Sequence, residues 1–243
     1  MMEPIVPYRE SNDSKKTQVS KMFDNVSSNY DQLNRVITFG MDVKWRENVL
    51  NIVANRKPET LLDIATGTGD MVILFSGANV KKIVGVDISD GMLSVAREKV
   101  KAQNLSDIIE LKIADAESLP FETNSFDAVT VSYGIRNFEH LEIGLAEILR
   151  VLKPGGIFVI LETSVPEKFP FRQGYFIHTK VFLPLIGRLF SKDKRAYSYL
   201  SSSAINFPYG AKLKAILEGV GYTQVEVLPQ SKGISTIYKA FKA

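Results

Sequence analysis

The sequence has no cysteine, and this absence excludes disulfide bonds, thiolate catalysis and cysteine-ligated metal sites. It also lacks any apolar run close to the roughly 20 residues that a helix needs to cross a bilayer. Residues 1–13 show neither the basic start and apolar core of a signal peptide nor an arginine-rich amphipathic pattern. These absences predict a cytoplasmic protein that is either soluble or held peripherally at the inner face of the cell membrane.

A large excess of charge is missing as well, because the net charge is only +3. A chain so nearly neutral is not expected to bind nucleic acid. The 243 residues, 45% of them hydrophobic, are enough for one α/β domain with a substantial core and too few for two. Residues 166–209 are exceptional, with seven Lys or Arg against two acidic residues and with ten aromatic residues. We call this stretch the basic aromatic segment.

The most informative stretch that is present has the sequence LDIATGTGD and joins a predicted strand to a glycine turn. Residues 60–64 are almost entirely apolar, as expected for a parallel strand that is covered on both faces. Gly67 and Gly69 allow the backbone to turn sharply and to approach a ligand closely. A second predicted strand ends at Asp87, twenty residues after Gly67. An acid at the end of the second strand suits the hydroxyl groups of a ribose.

The details of this turn separate two kinds of cofactor. A dinucleotide would need a third glycine where Val72 stands, and Asp70 would repel a pyrophosphate at the start of the next helix. S-adenosylmethionine is cationic and carries a ribose, so it suits these acids. We therefore predict it as the cofactor, with Asp63, Gly67 and Gly69 among the residues that bind it. The alternative is that Asp63 and Asp70 only cap turns and helices.

The order of the apolar segments predicts the fold class. The predicted helices cover 15–33, 41–55, a stretch from residue 70, 91–102, 141–152 and 211–218. The predicted strands cover 60–64, 82–87, 108–113, 125–132, 157–161, 222–229 and 234–242. Strands that alternate with helices form a doubly wound parallel sheet, and the short connection at 230–233 adds a C-terminal β-hairpin. Seven strands, six parallel and one reversed, predict an α/β class I S-adenosylmethionine-dependent methyltransferase.

Further motifs lie on both sides of the glycine turn. They are MFDNVS at 22–27, YD at 30–31, WR at 45–46, DIS at 87–89, DAESLPF at 115–121, SYGIRN at 132–137, RVLKPGG at 150–156 and YSYLSSS at 197–203. The glycine turn and the LKPGG sequence occur in many methyltransferases, whereas SYGIRN and YSYLSSS are more particular. With these motifs nearly the whole chain resembles the UbiE/MenG family of C-methyltransferases, which methylate the quinone ring in menaquinone and ubiquinone biosynthesis.

The resemblance implies a set of residues that contact the cofactor. They are Thr68 in the glycine turn, Asp87 at the ribose, Asp115 and Ala116 at the edge of the adenine, and Ser132 beside the cofactor. A carboxylate just past the third strand agrees with this set, because it can accept a hydrogen bond from the exocyclic amine. The alternative for Ser132 is a hydroxyl group that is merely satisfied at the end of a strand.

The resemblance also implies an acceptor, a prenylated quinol that is methylated on a ring carbon. We expect Arg136 to stabilise the phenolate, Asn137 to orient the hydroxyl group or a water, and Tyr30 to close over the ring. A surface ion pair for Arg136 and plain packing for Tyr30 are the alternatives. Neither His140 nor His178 is assigned as a base, and no metal is required. Demethylmenaquinol is the predicted substrate, with a ubiquinone precursor or another hydrophobic acceptor as alternatives.

These predictions divide one methyltransferase domain, 1–243, into four parts. They are an N-terminal helical cap at 1–57, a cofactor-binding core at 58–165, the basic aromatic segment at 166–209, and a C-terminal helix and hairpin at 210–243. We expect the basic aromatic segment to contact the membrane, the alternative being a roof over the active site. A non-catalytic cofactor-binding or lipid-binding module is the remaining rival function. The oligomeric state is not predicted.

Overall fold

A single sheet forms the centre of the computed structural model, which describes residues 5–182 and 194–243. Within the described chain the sheet has seven strands in the order β3-β2-β1-β4-β5-β7-β6. Their bounds are β1 Thr60–Ile64, β2 Lys82–Asp87, β3 Ile109–Ile113, β4 Phe126–Ser132, β5 Leu152–Thr163, β6 Thr223–Gln230 and β7 Ser235–Phe241. Only β7 among them is reversed, since it pairs antiparallel with both β5 and β6. The predicted fold class and C-terminal hairpin are confirmed.

Helices cover both faces of the sheet. Their bounds are α1 Lys15–Val26, α2 Tyr30–Ile37, α3 Met41–Ala54, α4 Asp70–Phe75, α5 Asp90–Ala102, α6 Leu141–Val151, α7 Phe171–Ile177, α8 Lys194–Asn206 and α9 Ala211–Val220. Serine side chains cap α1 and α5 in the described chain: Ser14 accepts a hydrogen bond from the N–H of Thr17 at 3.2 Å, and Ser89 accepts one from the N–H of Met92 at 3.1 Å. β5 begins at Leu152, five residues earlier than predicted, because the LKPGG sequence continues the strand instead of preceding it.

Two hydrophobic clusters lie on opposite faces of the sheet. Alternate residues of β1 point to opposite sides, so Leu62 packs in the cluster that includes α6 and α9, and Leu61 packs in the cluster that includes α3 and α4. All of β1 beyond Thr60 is buried. This rigid central layer fixes where the carboxyl ends of β1, β2 and β4 stand, and those ends carry the candidate site.

The N-terminal cap differs from the prediction. One helix over 15–33 is wrong, because α1 ends at Val26, a 3₁₀ turn covers Ser27–Asn29, and α2 starts at Tyr30. The Ser27 hydroxyl donates a hydrogen bond to the carbonyl of Asp24 at 3.0 Å, a local bond of the kind that competes with a regular helix. Residues on both sides of the break, in α1 and in α2, remain in one apolar cluster with α5 and α8.

The basic aromatic segment forms helices in its described parts. α7 continues into a π-helical turn at His178–Phe182, and α8 follows from residue 194. Arg188 and Lys192 lie outside the described residues, as do Phe190 and the side chain of Lys194. Within 5–182 and 194–243, no helix is both long enough and apolar enough to cross a membrane.

Candidate active site

A narrow cavity opens at the carboxyl edge of the sheet, where β1, β2 and β4 end. We call it the cofactor cavity; its volume is about 70 Å³. Among the predicted residues, its walls include Tyr30, Gly67, Asp87, Asp115, Ala116, Ser132 and Asn137. Seven predicted residues from separate parts of the sequence therefore meet in one place. Parallel strands explain this for six of the residues, since the carboxyl ends of the strands share one edge of the sheet, and α2 brings Tyr30 to the same edge.

Asp87 is held rigidly at the end of β2. One carboxylate oxygen accepts a hydrogen bond from the N–H of Gly67 at 2.9 Å, and the other accepts one from the N–H of Ser89 at 2.9 Å. Burial raises the pKa of Asp87, and these backbone bonds partly offset that effect. Each carboxylate oxygen keeps lone-pair capacity for a further donor. The carboxylate is therefore ready to accept two hydroxyl groups, as a ribose would require.

Two other features of the cofactor cavity fit a bound ligand. Gly67 has φ +58°, and a Cβ there would meet no atom within 4 Å, because it would point into open space. The Ser132 hydroxyl is buried and has no hydrogen-bond partner among the described residues. A buried hydroxyl without a partner is uncommon in a native structure, and a bound polar ligand accounts for it.

The side of the cavity that contains Asp115, the predicted adenine residue, is covered by α1. Asp115 forms an ion pair with Lys16 of that helix and also accepts a hydrogen bond from the N–H of Glu117 at 3.0 Å. Lys15 anchors the same helix, since its ammonium group donates to the carbonyls of Arg136 at 3.1 Å and Phe138 at 2.7 Å. The cap is thus attached to the loop after β4 as well as to the predicted adenine residue.

Three residues predicted to bind the cofactor do not line the cavity: Asp63, Thr68 and Gly69. The Thr130 hydroxyl donates to Asp63 at 2.6 Å inside the sheet. Burial raises the pKa of Asp63 to about 6. Thr68 donates its hydroxyl hydrogen bond to Asp31 of α2. A Cβ on Gly69 would lie 2.9 Å from the Cβ of Ala96, so this glycine allows the turn to pack against α5.

Asp70 has a different role from the one its sequence position suggested. It accepts a hydrogen bond from the Lys99 ammonium group at 2.7 Å and forms an ion pair with Arg46 of α3. Burial opposes its ionisation, but these two cations lower its pKa overall. The charge of Asp70 is therefore matched by the protein and ties α3 and α5 to the glycine turn.

A second and larger cavity lies next to the first. We call it the acceptor cavity; its volume is about 410 Å³, and its walls come from α2, α3, α7 and α8. Arg136 lines this cavity and not the first one. Tyr30 and Tyr133 line both cavities. The first cavity carries Asp87, Asp115 and the Ser132 hydroxyl on its walls, and the larger cavity beside it has mostly apolar walls. This is the geometry expected where a ribose-bearing cofactor meets a hydrophobic acceptor.

Arg136 is buried in an ion pair. Its Nη1 donates to Glu162 at 2.6 Å and to the carbonyl of Tyr133 at 2.7 Å. Glu162 is 1% exposed and Arg136 is 9% exposed, so a surface ion pair is excluded. The predicted role gave Arg136 an uncompensated charge, whereas the structure places a carboxylate directly against it. No sequence pattern pointed to Glu162, which looks like one more residue of a buried strand.

Tyrosines surround this ion pair. Tyr199 of α8 donates its hydroxyl hydrogen bond to Oδ1 of Asn137 at 3.1 Å. Burial raises the pKa of Tyr175 and of Tyr199 to about 12, the charge of Arg136 lowers both pKa values, and the charge of Glu162 raises them. Burial also raises the pKa of Tyr30. These phenols remain protonated at neutral pH and serve as hydrogen-bond donors.

The two histidines lie in different surroundings. His140 is exposed, and its Nδ1 is 2.9 Å from a carboxylate oxygen of Glu117. His178 lines the acceptor cavity, where its ring lies 5.6 Å from that of Phe39 and 5.1 Å from that of Phe182. Burial lowers the pKa of His178. An uncharged ring among aromatic neighbours contributes chiefly apolar surface to the cavity.

Comparison with known proteins agrees with this geometry. The model of the ubiE/COQ5 methyltransferase family matches residues 11–242. The chain belongs to this family. This confirms the predicted class, a methyltransferase that uses S-adenosylmethionine. The cofactor cavity provides what that group needs, namely paired acceptor oxygens on Asp87, an open glycine turn and an unpartnered hydroxyl on Ser132.

The relatives are similar over almost their whole length. A protein named demethylmenaquinone methyltransferase from Bacteroides fragilis is 46% identical over 99% of this chain and 98% of its own. The proteins of the same name from Staphylococcus carnosus and Porphyromonas gingivalis are 41% and 38% identical. They cover 95% and 99% of this chain, and 95% and 98% of their own chains.

Solved structures show the same fold at low identity. The cyclase SpnF superposes with a TM-score of 0.67 at 18% identity, covering 98% of this chain and 97% of its own. An S-adenosylmethionine-dependent methyltransferase from Aquifex aeolicus gives a TM-score of 0.54 at 19% identity over 76% of this chain and 82% of its own. This fold thus supports more than one reaction, so the reaction must be argued from the site.

Proposed function

We propose that the protein transfers a methyl group from S-adenosylmethionine to a ring carbon of a prenylated quinol, most specifically demethylmenaquinol. The observation that carries the proposal is the pair of joined cavities, which meet at Tyr30 and Tyr133. The smaller one holds the Asp87 carboxylate, and the larger one has mostly apolar walls and contains Arg136. The name shared by the relatives supports the choice of acceptor.

In this proposal the residues of the cofactor cavity act by positioning. Asp87 accepts the two ribose hydroxyl groups, Asp115 and Ala116 bound the adenine, and Ser132 contacts the cofactor near the end of β4. The cofactor supplies an electrophilic methyl group. Thr68, Gly69 and Asp63 support this arrangement from behind, because they hold α2, α5 and β4 against the glycine turn. Fixing both reactants in this way contributes a large part of the rate increase.

The acceptor must become more nucleophilic at its ring carbon. Loss of a hydroxyl proton raises the electron density at the neighbouring carbon, and phenols ionise near pH 10 when free. Arg136 faces the acceptor cavity, so its charge favours the phenolate. Glu162 reduces that effect, because opposite charges in contact largely cancel at a distance. Asn137, on the wall of the cofactor cavity, orients the hydroxyl group, and Tyr30, at the junction of the two cavities, covers the ring.

A direct assay tests the proposed reaction. Purified protein, methyl-labelled S-adenosylmethionine and reduced demethylmenaquinone with a short prenyl chain should give labelled menaquinol, identified by mass spectrometry. Two further acceptors are compared at the same concentration: a ubiquinone precursor quinol, and a phenolic polyketide without a prenyl chain. Faster methylation of either one would overturn the assignment of demethylmenaquinol. Binding of the cofactor without methylation of any of the three would favour a non-catalytic module.

We also propose that the enzyme contacts the membrane at the mouth of the acceptor cavity. Apolar side chains are exposed at this cavity and beside it. Phe39 lines the cavity and is 67% exposed, Phe169 precedes the lining residue Pro170 and is 79% exposed, and Ile177 precedes the lining residue His178 and is 65% exposed. Exposed apolar groups of this size mark an interaction surface. Phe39 belongs to the turn between α2 and α3, so the proposed surface is wider than the basic aromatic segment. A prenylated acceptor supports the choice of a lipid bilayer as the partner.

Basic residues flank this apolar rim. Lys168, Arg172 and Lys180 are exposed, and the charged groups of Arg172 and Lys180 lie 5.9 Å and 5.4 Å from the ring centre of Phe176. A basic residue near an anionic lipid surface contributes about 1 kcal/mol, which salt screens. We therefore expect the protein to bind anionic vesicles at low salt and to dissociate from them at high salt.

Vesicle sedimentation tests the membrane contact. Reversing the charge at Lys168, Arg172 and Lys180 should reduce binding to anionic vesicles and leave methylation of a short-chain, water-soluble acceptor intact. The matched control reverses three exposed lysines near the opposite edge of the sheet, where the strands begin: Lys57, Lys81 and Lys101. An equal loss of vesicle binding in both triple variants would show that binding depends only on the net charge of the protein. Failure of the wild-type protein to bind anionic vesicles at low salt would leave the segment as a roof over the acceptor.

A further inference from the structure

One buried carboxylate beside the acceptor cavity has no assigned role in the reaction. Glu162 is the next-to-last residue of β5, where it pairs with Thr236 of β7 and follows the residue that pairs with Ser132 of β4. The side chain is 1% exposed. A strand in the middle of the sheet usually places an apolar residue at such a position. An ionisable group there requires a partner, and the partner is Arg136.

The hydrogen bonds of Glu162 are unevenly divided between its two oxygens. Oε1 accepts from Nη1 of Arg136 at 2.6 Å, from the N–H of Thr163 at 2.7 Å and from the hydroxyl of Thr163 at 3.1 Å. Oε2 is buried and has no partner among the described residues, and neither has Nε of Arg136. One oxygen thus fixes Nη1 of Arg136, and the free Nε remains available as a donor.

The tyrosines around the pair show how it acts on a phenol. Burial raises the pKa of Tyr175 and Tyr199, the charge of Arg136 lowers both pKa values, and that of Glu162 raises them. A quinol in the acceptor cavity is also a phenol close to Arg136, so it experiences the same opposing effects. Among the described residues, the titratable and charged groups that act on Arg136 or Glu162 come from five helices and strands and one loop. They are Lys15 on α1, Tyr30 on α2, Tyr133 in the loop after β4, Tyr175 on α7, Tyr199 on α8 and Tyr238 on β7.

We propose that Glu162 is a positioning residue, which holds the Arg136 guanidinium against the acceptor and sets the pH range in which the acceptor hydroxyl ionises. This inference rests on the proposed function, because it requires a phenolic acceptor beside Arg136. Holding Arg136 and balancing its charge have opposite consequences for the acceptor. The carboxylate keeps the guanidinium in place, and it also makes phenolate formation harder than an unpaired arginine would.

The Glu162→Gln variant separates these two roles, since the amide oxygen can still accept from Arg136 while the negative charge is gone. The probe is a 2-prenylated 1-naphthol, whose ionised form absorbs at longer wavelength than its neutral form. Bound to Glu162→Gln, the probe should have a pKa about one unit lower than when bound to the wild-type protein. The midpoint of kcat against pH for the quinol substrate should move in the same direction. A probe pKa that is unchanged or higher in a folded variant would overturn the proposal.

Two further variants complete the test. Glu162→Asp keeps the charge but withdraws the carboxylate by one methylene, so kcat should fall at least tenfold while the probe pKa stays near the wild-type value. Wild-type kcat in this variant would contradict the positioning role. Glu226→Gln is the control, because Glu226 is an ion-paired glutamate at the edge of the same sheet, 2.6 Å from Lys239. Glu226→Gln should change neither kcat nor the pKa of the bound probe.

The probe titration also distinguishes this inference from the proposed function. It needs only a bound phenol and no methyl transfer, so a different natural acceptor would leave its result unaffected. If wild-type protein methylates demethylmenaquinol while Glu162→Gln leaves the probe pKa unchanged, the inference about Glu162 alone fails. Cofactor affinity from calorimetry and thermal unfolding then confirm that each variant is folded.

Discussion

The cofactor cavity and the acceptor cavity share two tyrosines but are built in different ways. Strand ends of the central sheet provide most of the first, and their backbone groups hold Asp87 at two points. Helices α2 and α3 from the first part of the chain and α7 and α8 from a later part provide most of the second. The sheet fixes polar groups accurately, whereas packed helices create a large apolar space. Four predictions test whether the two cavities act independently, beginning with the largest expected effect.

Removing Arg136 should have the largest effect and should act on the acceptor alone. Arg136→Ala should lower kcat about 100-fold to 1,000-fold, the loss typical when one group that stabilises a developing oxyanion is removed. Cofactor affinity by calorimetry should stay within threefold of the wild-type value, because Arg136 does not line the cofactor cavity. Higher pH should recover part of the rate as the acceptor ionises unaided.

The same variant leaves Glu162 buried without its partner, which costs about 3–5 kcal/mol of stability. The double variant Arg136→Ala/Glu162→Gln should regain most of that stability and none of the activity. Full activity at neutral pH in either variant would show that Arg136 only stabilises the fold.

Removing Asp87 should act on the cofactor cavity alone. Asp87→Ala loses two hydrogen bonds to a charged acceptor, each worth about 1.5–3 kcal/mol, so cofactor affinity should fall at least tenfold. Binding of a prenylated naphthol to the acceptor cavity should be unchanged. Unchanged cofactor affinity in a folded Asp87→Ala protein would remove the ribose assignment, and a parallel loss of naphthol binding would show that the two cavities are coupled.

A substitution at Asp63 tests which acidic residues near the cofactor cavity bind the cofactor and which only support the residues that do. Its pKa of about 6 lies above the usual value of 3.8 because of burial, so its charged form is unfavourable in the folded state. The folded protein therefore loses stability as the pH rises from about 4 through 6. Asp63→Asn keeps an acceptor for Thr130 and removes this cost, which is about 2–3 kcal/mol above pH 7.

Urea unfolding at pH 4.5 and pH 7.5 measures this effect, with a larger gain in stability for Asp63→Asn expected at pH 7.5. Cofactor affinity of the variant should fall less than that of Asp87→Ala. A loss of affinity as large as that of Asp87→Ala would place Asp63 at the cofactor itself.

The smallest effect is expected at the boundary between the cap and the cofactor cavity. Lys16 of α1 forms an ion pair with Asp115, which follows β3. Both side chains are partly exposed, so the pair contributes about 0.2–1 kcal/mol to stability. Lys16→Ala leaves Asp115 free to accept from the adenine amine, and cofactor affinity should rise by up to about fivefold. Lys21→Ala, an exposed lysine of the same helix that pairs with Asp13, should change nothing. Weaker binding in Lys16→Ala would mean that Lys16 itself contacts the cofactor.

Most of the fold was predictable, since it follows from local patterns. The buried strand before the glycine turn, the alternation of strands and helices and the short hairpin connection each depend on neighbouring residues. The exceptions are breaks such as the interruption of the first helix at Ser27–Asn29, where the Ser27 hydroxyl bonds to the carbonyl of Asp24. The helical spacing of apolar residues continues across that break, so hydrophobic periodicity alone does not reveal it.

The candidate site was predictable where a motif coincides with the end of a strand. Gly67, Asp87 and Ser132 are of this kind, and parallel strands bring their ends together without further information. Thr68 and Asp70 also belong to the motif, yet their side chains turn away to bond Asp31, Lys99 and Arg46. The direction of a side chain depends on which helix packs against it. The sequence of the turn does not show which helix that is.

The sequence by itself determined the fold class, the methyltransferase family, the cofactor and the strand ends that carry the cofactor cavity, because these follow from local patterns and from the order of those patterns along the chain. Only the tertiary structure decided that Arg136, in the turn after β4, is buried against Glu162, which lies 26 residues later in β5. It also decided that Phe39 stands at the mouth of the acceptor cavity beside Phe182, at a ring distance of 5.5 Å. Burial and pairing are properties of what surrounds a residue, and packing brings those surroundings together from distant parts of the chain.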